Sequence, residues 1–287
     1  MKNEDIEDPL FRMAVESIDS GNIQKMKELL SEHPYLVKDR LHYPVQGYFA
    51  NPYLIWFIAD NPIRHAKLPG NIVEITKTII ESIKKNAPET FQIQLDYTLG
   101  LVDTGRIPKE SGFQIELIDL LIDSGAHPGN GKGAVAHGNL EAANHLLKRG
   151  AKLTLTVAVS LNLKNEAESL FATAGADEKI TALTAAAFFG NTEMVSWLLN
   201  KGVNPNGYPP ANSGFHSHAT PLHQAVYSGS LETVKKLVEA GADLGARDKV
   251  YSGTPLGWAE YMIAEEASED QKPRFLGIIE YLKGLKS

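Results

Sequence analysis

His216 and His218 are separated by a single residue and His223 follows five further on, so three imidazoles fall within eight residues of chain. Imidazole nitrogens at that density suit zinc, copper or nickel, and Asp248 offers a carboxylate that could join such a set. The stretch from Asn204 to His218 is built of turn formers and prolines and reads as a loop. It also holds Tyr208 and Phe215, aromatics that a mere spacer does not need. A second loop, Arg247-Asp248-Lys249-Val250-Tyr251-Ser252-Gly253, brings an Arg, an Asp and a Tyr. Aromatic and Arg side chains are the usual anchors of protein interfaces. Tyr208, Phe215, His216, His218, Arg247, Asp248 and Tyr251 are therefore the candidate partner- or ligand-binding residues. The plainer reading of the aromatics is that Phe215 and Tyr251 pack on each other and stiffen the two loops.

No recognised catalytic pattern accompanies them. The sequence has no G-x-x-x-x-G-K-[ST], no strand-borne G-x-G-x-x-G, no G-x-S-x-G and no H-E-x-x-H. Gly129-Asn130-Gly131-Lys132-Gly133 is glycine-rich but falls at a turn, where a phosphate cradle is not expected. Glu265 and Glu266 sit in Ala264–Pro273, read as an acidic surface insertion without a pocket signal. There is no cysteine, which excludes thiolate metal sites, a thiol nucleophile and a disulfide framework, and which fits a reducing compartment. The chain is expected not to be an enzyme, with no catalytic residue, no cofactor and no metal.

The elements that must position the two loops show themselves as a repeat. Residues 138–151, 190–203 and 229–242 align without a gap. Each has a small polar residue after its first Gly, where a helix would start. Apolar residues follow at helical spacing, as in Val234, Leu237 and Val238, and a Gly closes the helix where a left-handed cap is needed. Upstream lies a second, shorter helix, seen in Thr220-Pro221-Leu222-His223-Gln224-Ala225 and Thr254-Pro255-Leu256-Gly257-Trp258-Ala259, with Thr181-Ala182-Leu183-Thr184-Ala185-Ala186 a weaker copy. Thr suits the N-cap and Pro the first helical position. The small sixth residue allows close helix approach.

These residues resemble the ankyrin-repeat family. Thr220–Ala225 matches the T-P-L-H-x-A signature, and Thr254 follows Thr220 by 34 residues, close to the family period of about 33. The resemblance implies an all-α solenoid of about eight helix-turn-helix units, with irregular and partly truncated β-hairpin fingers. It assigns Thr220, Pro221, Leu222, His223, Thr254 and Pro255 to the structural signature, so His223 leaves the metal-ligand set. It also puts His218 at a position where the family commonly has Gly, which calls for a positive φ. One domain over 1–287 is expected, with degenerate units at 9–127, short units at 128–178, clear repeats at 179–252 and a capping unit at 253–287. By the same implication the function is partner binding through the concave surface and fingers. The other reading is a small-molecule or metal site, with or without catalysis, at the His216/His218 finger.

Composition narrows the partner. Lys and Arg number 28 against 35 Asp and Glu, a net charge of −7, which lacks the footprint of a nucleic-acid binder. Apolar residues are 43% and charged residues 22%, a globular balance. The first ten residues are acidic, unlike a signal peptide, and no apolar run approaches the ~18 residues of a membrane span. A cytoplasmic protein with an unidentified protein partner is expected, with no nucleic acid, no membrane and no support for a small molecule. Trp56, Trp197 and Trp258 are expected in the core. Arg64, His65, Lys67, Arg106 and Lys109 lie in expanded turns and are expected to form a solvated basic face.

Overall fold

The structure, a computed structural model, describes residues 2–285. Among them the regular elements are helical and no strand is formed. The contacts divide the chain into two units at the Lys152–Leu153 bond.

The first unit holds four helix pairs. The first is α1 (Pro9–Ser20) with α2 (Ile23–Glu32), followed by the short α3 (Tyr35–Lys38). A 3-10 segment, Leu54–Ala59, pairs with α4 (Ile72–Asn86). Next come α5 (Phe91–Thr104), the brief α6 (Arg106–Glu110) in the turn, and α7 (Gln114–Asp123). The fourth pair is α8 (Lys132–Ala136) and α9 (Leu140–Lys148). The second unit holds four more: α10 (Leu155–Ser160) with α11 (Lys164–Phe171), α12 (Ala176–Phe188) with α13 (Thr192–Asn200), α14 (Pro221–Tyr227) with α15 (Leu231–Glu239), and α16 (Pro255–Tyr261) with α17 (Lys272–Gly284). The eight pairs expected from the repeat are thus present among the described residues.

In the second unit the first helices α10, α12, α14 and α16 pack side by side, and α13, α15 and α17 line up behind them. The side chains explain the arrangement. Ala186, Ala225 and Ala259 occupy the sixth position of their repeats and are fully buried, so neighbouring first helices approach closely. Val234 and Leu237 of α15 are likewise buried to 0% exposure. Ser230 accepts a hydrogen bond from the Thr233 amide and Asn191 one from Met194, giving α15 and α13 their N-caps. Gly241 ends its repeat at φ +86, a conformation that a Cβ disfavours.

Four expectations are corrected. Thr181 does not begin its helix: α12 starts at Ala176, and the Thr181 hydroxyl donates back to the Asp177 carbonyl. Ala182 stands where the other repeats have Pro, so nothing stops the helix from extending five residues upstream. The fingers are built of turns rather than strand ladders. Asn206 ties neighbouring fingers together instead, its side chain donating to the Gly241 carbonyl (2.9 Å) and accepting from the Asp243 amide (2.7 Å). His218 is absent from the positive-φ residues; Ser252, its equivalent one repeat on, adopts φ +56.

The fourth correction concerns Arg64, in the turn after the 3-10 segment, whose side chain is drawn into the fold while His65, Lys67, Arg106 and Lys109 are exposed. Arg64 has a side chain only 2% exposed, 2.7 Å from Asp19 and 3.6 Å from Asp60, and it donates to the Phe57 carbonyl at 2.9 Å. Asp60 in turn accepts from the amides of Arg64 and Ala66, both at 2.9 Å, and holds the loop closed. Arg106, by contrast, is exposed and pairs with Glu110 on its own helix.

Trp56 is in the core and stacks on Tyr97 with ring centroids 3.9 Å apart, while Trp197 and Trp258 are half-buried. Asp103 on α5 is enclosed, and burial pushes its carboxyl up to about 8. Its Oδ1 has no hydrogen-bond partner. The glycine-rich loop packs here: a Cβ on Gly133 would come within 3.1 Å of the Thr104 methyl, so close packing accounts for that glycine. Among the described residues no helix is long and apolar enough to cross a membrane.

Candidate protein-interaction site

The two loops singled out by the sequence lie side by side in the second unit. The Lys249 amide donates to the His218 carbonyl at 2.8 Å, and the Tyr208 hydroxyl donates to the Arg247 carbonyl at 2.7 Å. The Lys249 ammonium sits 4.4 Å from the centre of the Tyr208 ring. Arg247 reaches along its own loop to the Ser252 carbonyl at 2.7 Å.

Asp248 organises the second loop from inside. It is 2% exposed. One carboxylate oxygen accepts from the amides of Val250 (2.9 Å) and Tyr251 (2.7 Å), the other from Gly253 (2.8 Å) and the Trp258 indole (3.0 Å). Burial alone would raise the Asp248 carboxyl. The bonds from Tyr251, Trp258, Val250 and Gly253 outweigh it and bring the pKa down to about 2. The carboxylate is thus spent on the loop's own geometry.

His223 is equally committed. Its Nδ1 lies 2.8 Å from the Thr220 hydroxyl and its Nε2 lies 3.0 Å from the Gly253 carbonyl, which ties the start of α14 to the next finger. Burial holds the imidazole below the ordinary histidine range. Thr254 caps α16 through the Gly257 amide, with Pro255 in the first turn, as Pro221 is in α14. Leu222 is buried beneath. Among the described residues no three His, Asp or Glu side chains are grouped as a metal ion would require.

The aromatics divide into two groups. Phe215 is buried and meets Phe188 edge-on at 5.8 Å. His216 lies against both rings at 4.7 Å, and Phe188 stacks on Tyr227 at 5.5 Å with ring planes 8° apart. His218 bridges onward, 6.0 Å from His216 and 6.0 Å from Trp258. Tyr251, in contrast, is 83% exposed. Phe215 and Tyr251 therefore do not stiffen the loops by packing on each other; Phe188 of α12 and His216 hold Phe215, and Tyr251 is left outside.

Phe188, Tyr227 and Tyr261 escape a motif search. A register comparison finds them, because each lies seven residues after the first signature position of its repeat: Thr181, Thr220 and Thr254. All three lie at the C-terminal ends of first helices, on one side of the unit. Tyr227 is 47% and Tyr261 55% exposed, so the row continues the finger cluster onto solvent.

A separate cleft of about 680 Å³ lies in the first unit, between Tyr48, Tyr97 and Arg106. Its polar groups are already used: Tyr48 bonds Asn61, Tyr97 bonds the Tyr48 carbonyl, and Arg106 pairs with Glu110.

The family model of ankyrin repeats matches three copies over residues 133–248. Residues 133–248 are ankyrin repeats. That span includes the signature at Thr220–Ala225 and both α14 and α15, and it ends at Asp248. A 79-residue stretch of the chain is 35% identical to the inactive serine/threonine-protein kinase TEX14 of Bos taurus. The match takes in 28% of the chain and spans only 5% of that protein's length. Among solved structures, the human ASB11 ankyrin repeat domain is similar over 94% of this chain and 97% of its own, at 18% identity and a TM-score of 0.33.

Proposed function

We propose that the chain is a protein-interaction module that receives its partner on the first-helix row and adjoining fingers of the second unit, without catalysis of its own. The observation that carries this reading is the row Phe188, Tyr227 and Tyr261, repeated in register and continued by His216 and His218. A large ring buried on a protein partner removes apolar area from water at about 25 cal/mol per Å². Aromatic anchors in a rigid frame cost little ordering entropy on binding. Here the frame is fixed before any partner arrives, through Asp248 and His223. Ankyrin repeats in general serve as such modules, which agrees with this placement.

Tyr208, His216, His218, Arg247 and Tyr251 are the finger residues offered to the partner, while Phe215 and Asp248 support them from below. Affinity capture with the wild type and with the His216→Ala/His218→Ala and Tyr227→Ala/Tyr261→Ala variants tests the proposal. Capture of one partner by the wild type, reduced in both variants with melting unchanged, is the expected result. A partner retained equally by all three would place the contact elsewhere.

A further inference from the structure

α5 carries a glycine that packing does not explain. Gly100 lies in the interior of this 14-residue helix, where glycine is a poorer helix former than alanine. A Cβ built on Gly100 would meet nothing within 4 Å, whereas one on Gly133 would press on Thr104. The open space beside Gly100 is the first-unit cleft of about 680 Å³. Tyr97, Gly100, Leu101 and Thr104 of α5 all line it, at the spacing of a single helix face. Tyr48 and Ile63, which also line it, are 57% and 47% exposed, so apolar surface stands uncovered here.

The walls are held in place by the protein itself. The Tyr48 hydroxyl donates to Asn61 at 2.6 Å, the Tyr97 hydroxyl donates to the Tyr48 carbonyl, and the Tyr97 ring stacks on Trp56. Both carboxylates of the lining are matched. Asp60 accepts the Arg64 and Ala66 amides beside the Arg64 guanidinium, and Asp96 accepts the His127 amide at 2.7 Å with the His127 ring at 2.9 Å. His137 turns its Nδ1 to the Gly133 carbonyl at 2.9 Å. Arg106 is the cation left over. It meets Glu110 through Nη1 alone, at 3.2 and 3.3 Å, in an exposed pair of the kind that contributes little. Its Nε and Nη2 donors have no hydrogen-bond partner among the described residues.

We propose that the cleft beside Gly100 binds a small aromatic carboxylate, with its ring against Gly100 and Tyr97 and its carboxylate on Arg106. The site goes beyond the binding-module reading and is independent of the aromatic row in the second unit. Without a Cβ at Gly100, a flat ring can lie directly on the helix backbone. Nε and Nη2 of a guanidinium form a planar fork that matches the two oxygens of a carboxylate. A cationic ligand would be repelled by Arg106, and a neutral one would leave that fork unmatched. The volume falls within the roughly 300–1,000 Å³ typical of small-molecule sites.

Isothermal titration calorimetry of the full chain with 2-naphthoate, 2-naphthamide and 2-naphthylmethylamine tests the proposal. Naphthoate should bind saturably and about tenfold or more tightly than the neutral amide or the cationic amine. Those arms use the unaltered protein and do not depend on how any variant folds. Gly100→Leu, which fills the cleft from a helix position, should abolish naphthoate binding. Gly100→Ala should leave the melting temperature unchanged or raise it, because the added methyl meets nothing. Arg106→Gln should reduce naphthoate affinity to that of naphthamide and leave naphthamide affinity as it was. Absence of saturable naphthoate binding, or equal affinity for the three probes, overturns the proposal. So does naphthoate affinity that Arg106→Gln or a folded Gly100→Leu leaves unchanged.

Discussion

Replacing Asp248 with Asn keeps the shape of the side chain and removes its charge, which makes it a sharp probe of the second loop. Each oxygen of the carboxylate takes two N–H donors: Val250 and Tyr251 on one side, Gly253 and the Trp258 indole on the other. An amide offers one acceptor and one NH2, so whichever way it turns, one pair of donors faces a donor. A buried donor left without an acceptor costs roughly 1–3 kcal/mol, which sets Asp248→Asn at about 2–4 kcal/mol. The titration gives a second figure. A pKa lowered from 3.8 to about 2 corresponds to about 2 kcal/mol at neutral pH. Because the folded-state value is the depressed one, this stabilisation is present above about pH 4 and is lost as pH falls through about 2. Urea unfolding followed by far-UV circular dichroism and tryptophan fluorescence measures both. The gap between wild type and Asp248→Asn should be full at pH 7 and narrow steadily from pH 4 toward pH 2. A variant within about 0.5 kcal/mol of wild type, or a gap that does not change with pH, would refute the claim that this carboxylate holds the loop.

Other substitutions test other parts of the frame. Leu237→Ala, at a fully buried position of α15, should cost about 2–5 kcal/mol in urea unfolding by opening a cavity between stacked pairs. Arg64→Met strands the Asp19 and Asp60 carboxylates in the first unit and should cost about 3–5 kcal/mol, where an exposed pair would cost less than about 1. Asp103→Asn tests the enclosed acid. With the folded pKa raised to about 8, wild-type stability should decline as pH rises from about 4 to 8. Unfolding measured across that range should show the decline in wild type and not in the variant.

What the sequence reveals here follows from which interactions are local. Thr220, Pro221 and Thr254 act on their own first turns, and the alanines and leucines recur at a fixed period, so the helix pairs can be read directly. Thr181 shows the limit: without a Pro beside it, the same residue type serves inside a helix as readily as at its start. The burial of Arg64 depends on Asp19, 45 residues away, and no local pattern announces that pairing. The finger residues were visible as aromatic and imidazole types. Their division, with Phe215 beneath and Tyr251 outside, depends on Phe188 from a different repeat. The row Phe188, Tyr227 and Tyr261 was legible only as a register.

The central claim is that the aromatic row and adjoining finger of the second unit bind a protein partner. Its most direct test is the dissociation constant of the captured partner for wild type and for Tyr227→Ala, a substitution at a 47% exposed ring, with melting measured alongside. The account predicts a loss of about tenfold or more with unchanged melting, as expected for an interface anchor. Equal affinity for both proteins would contradict it.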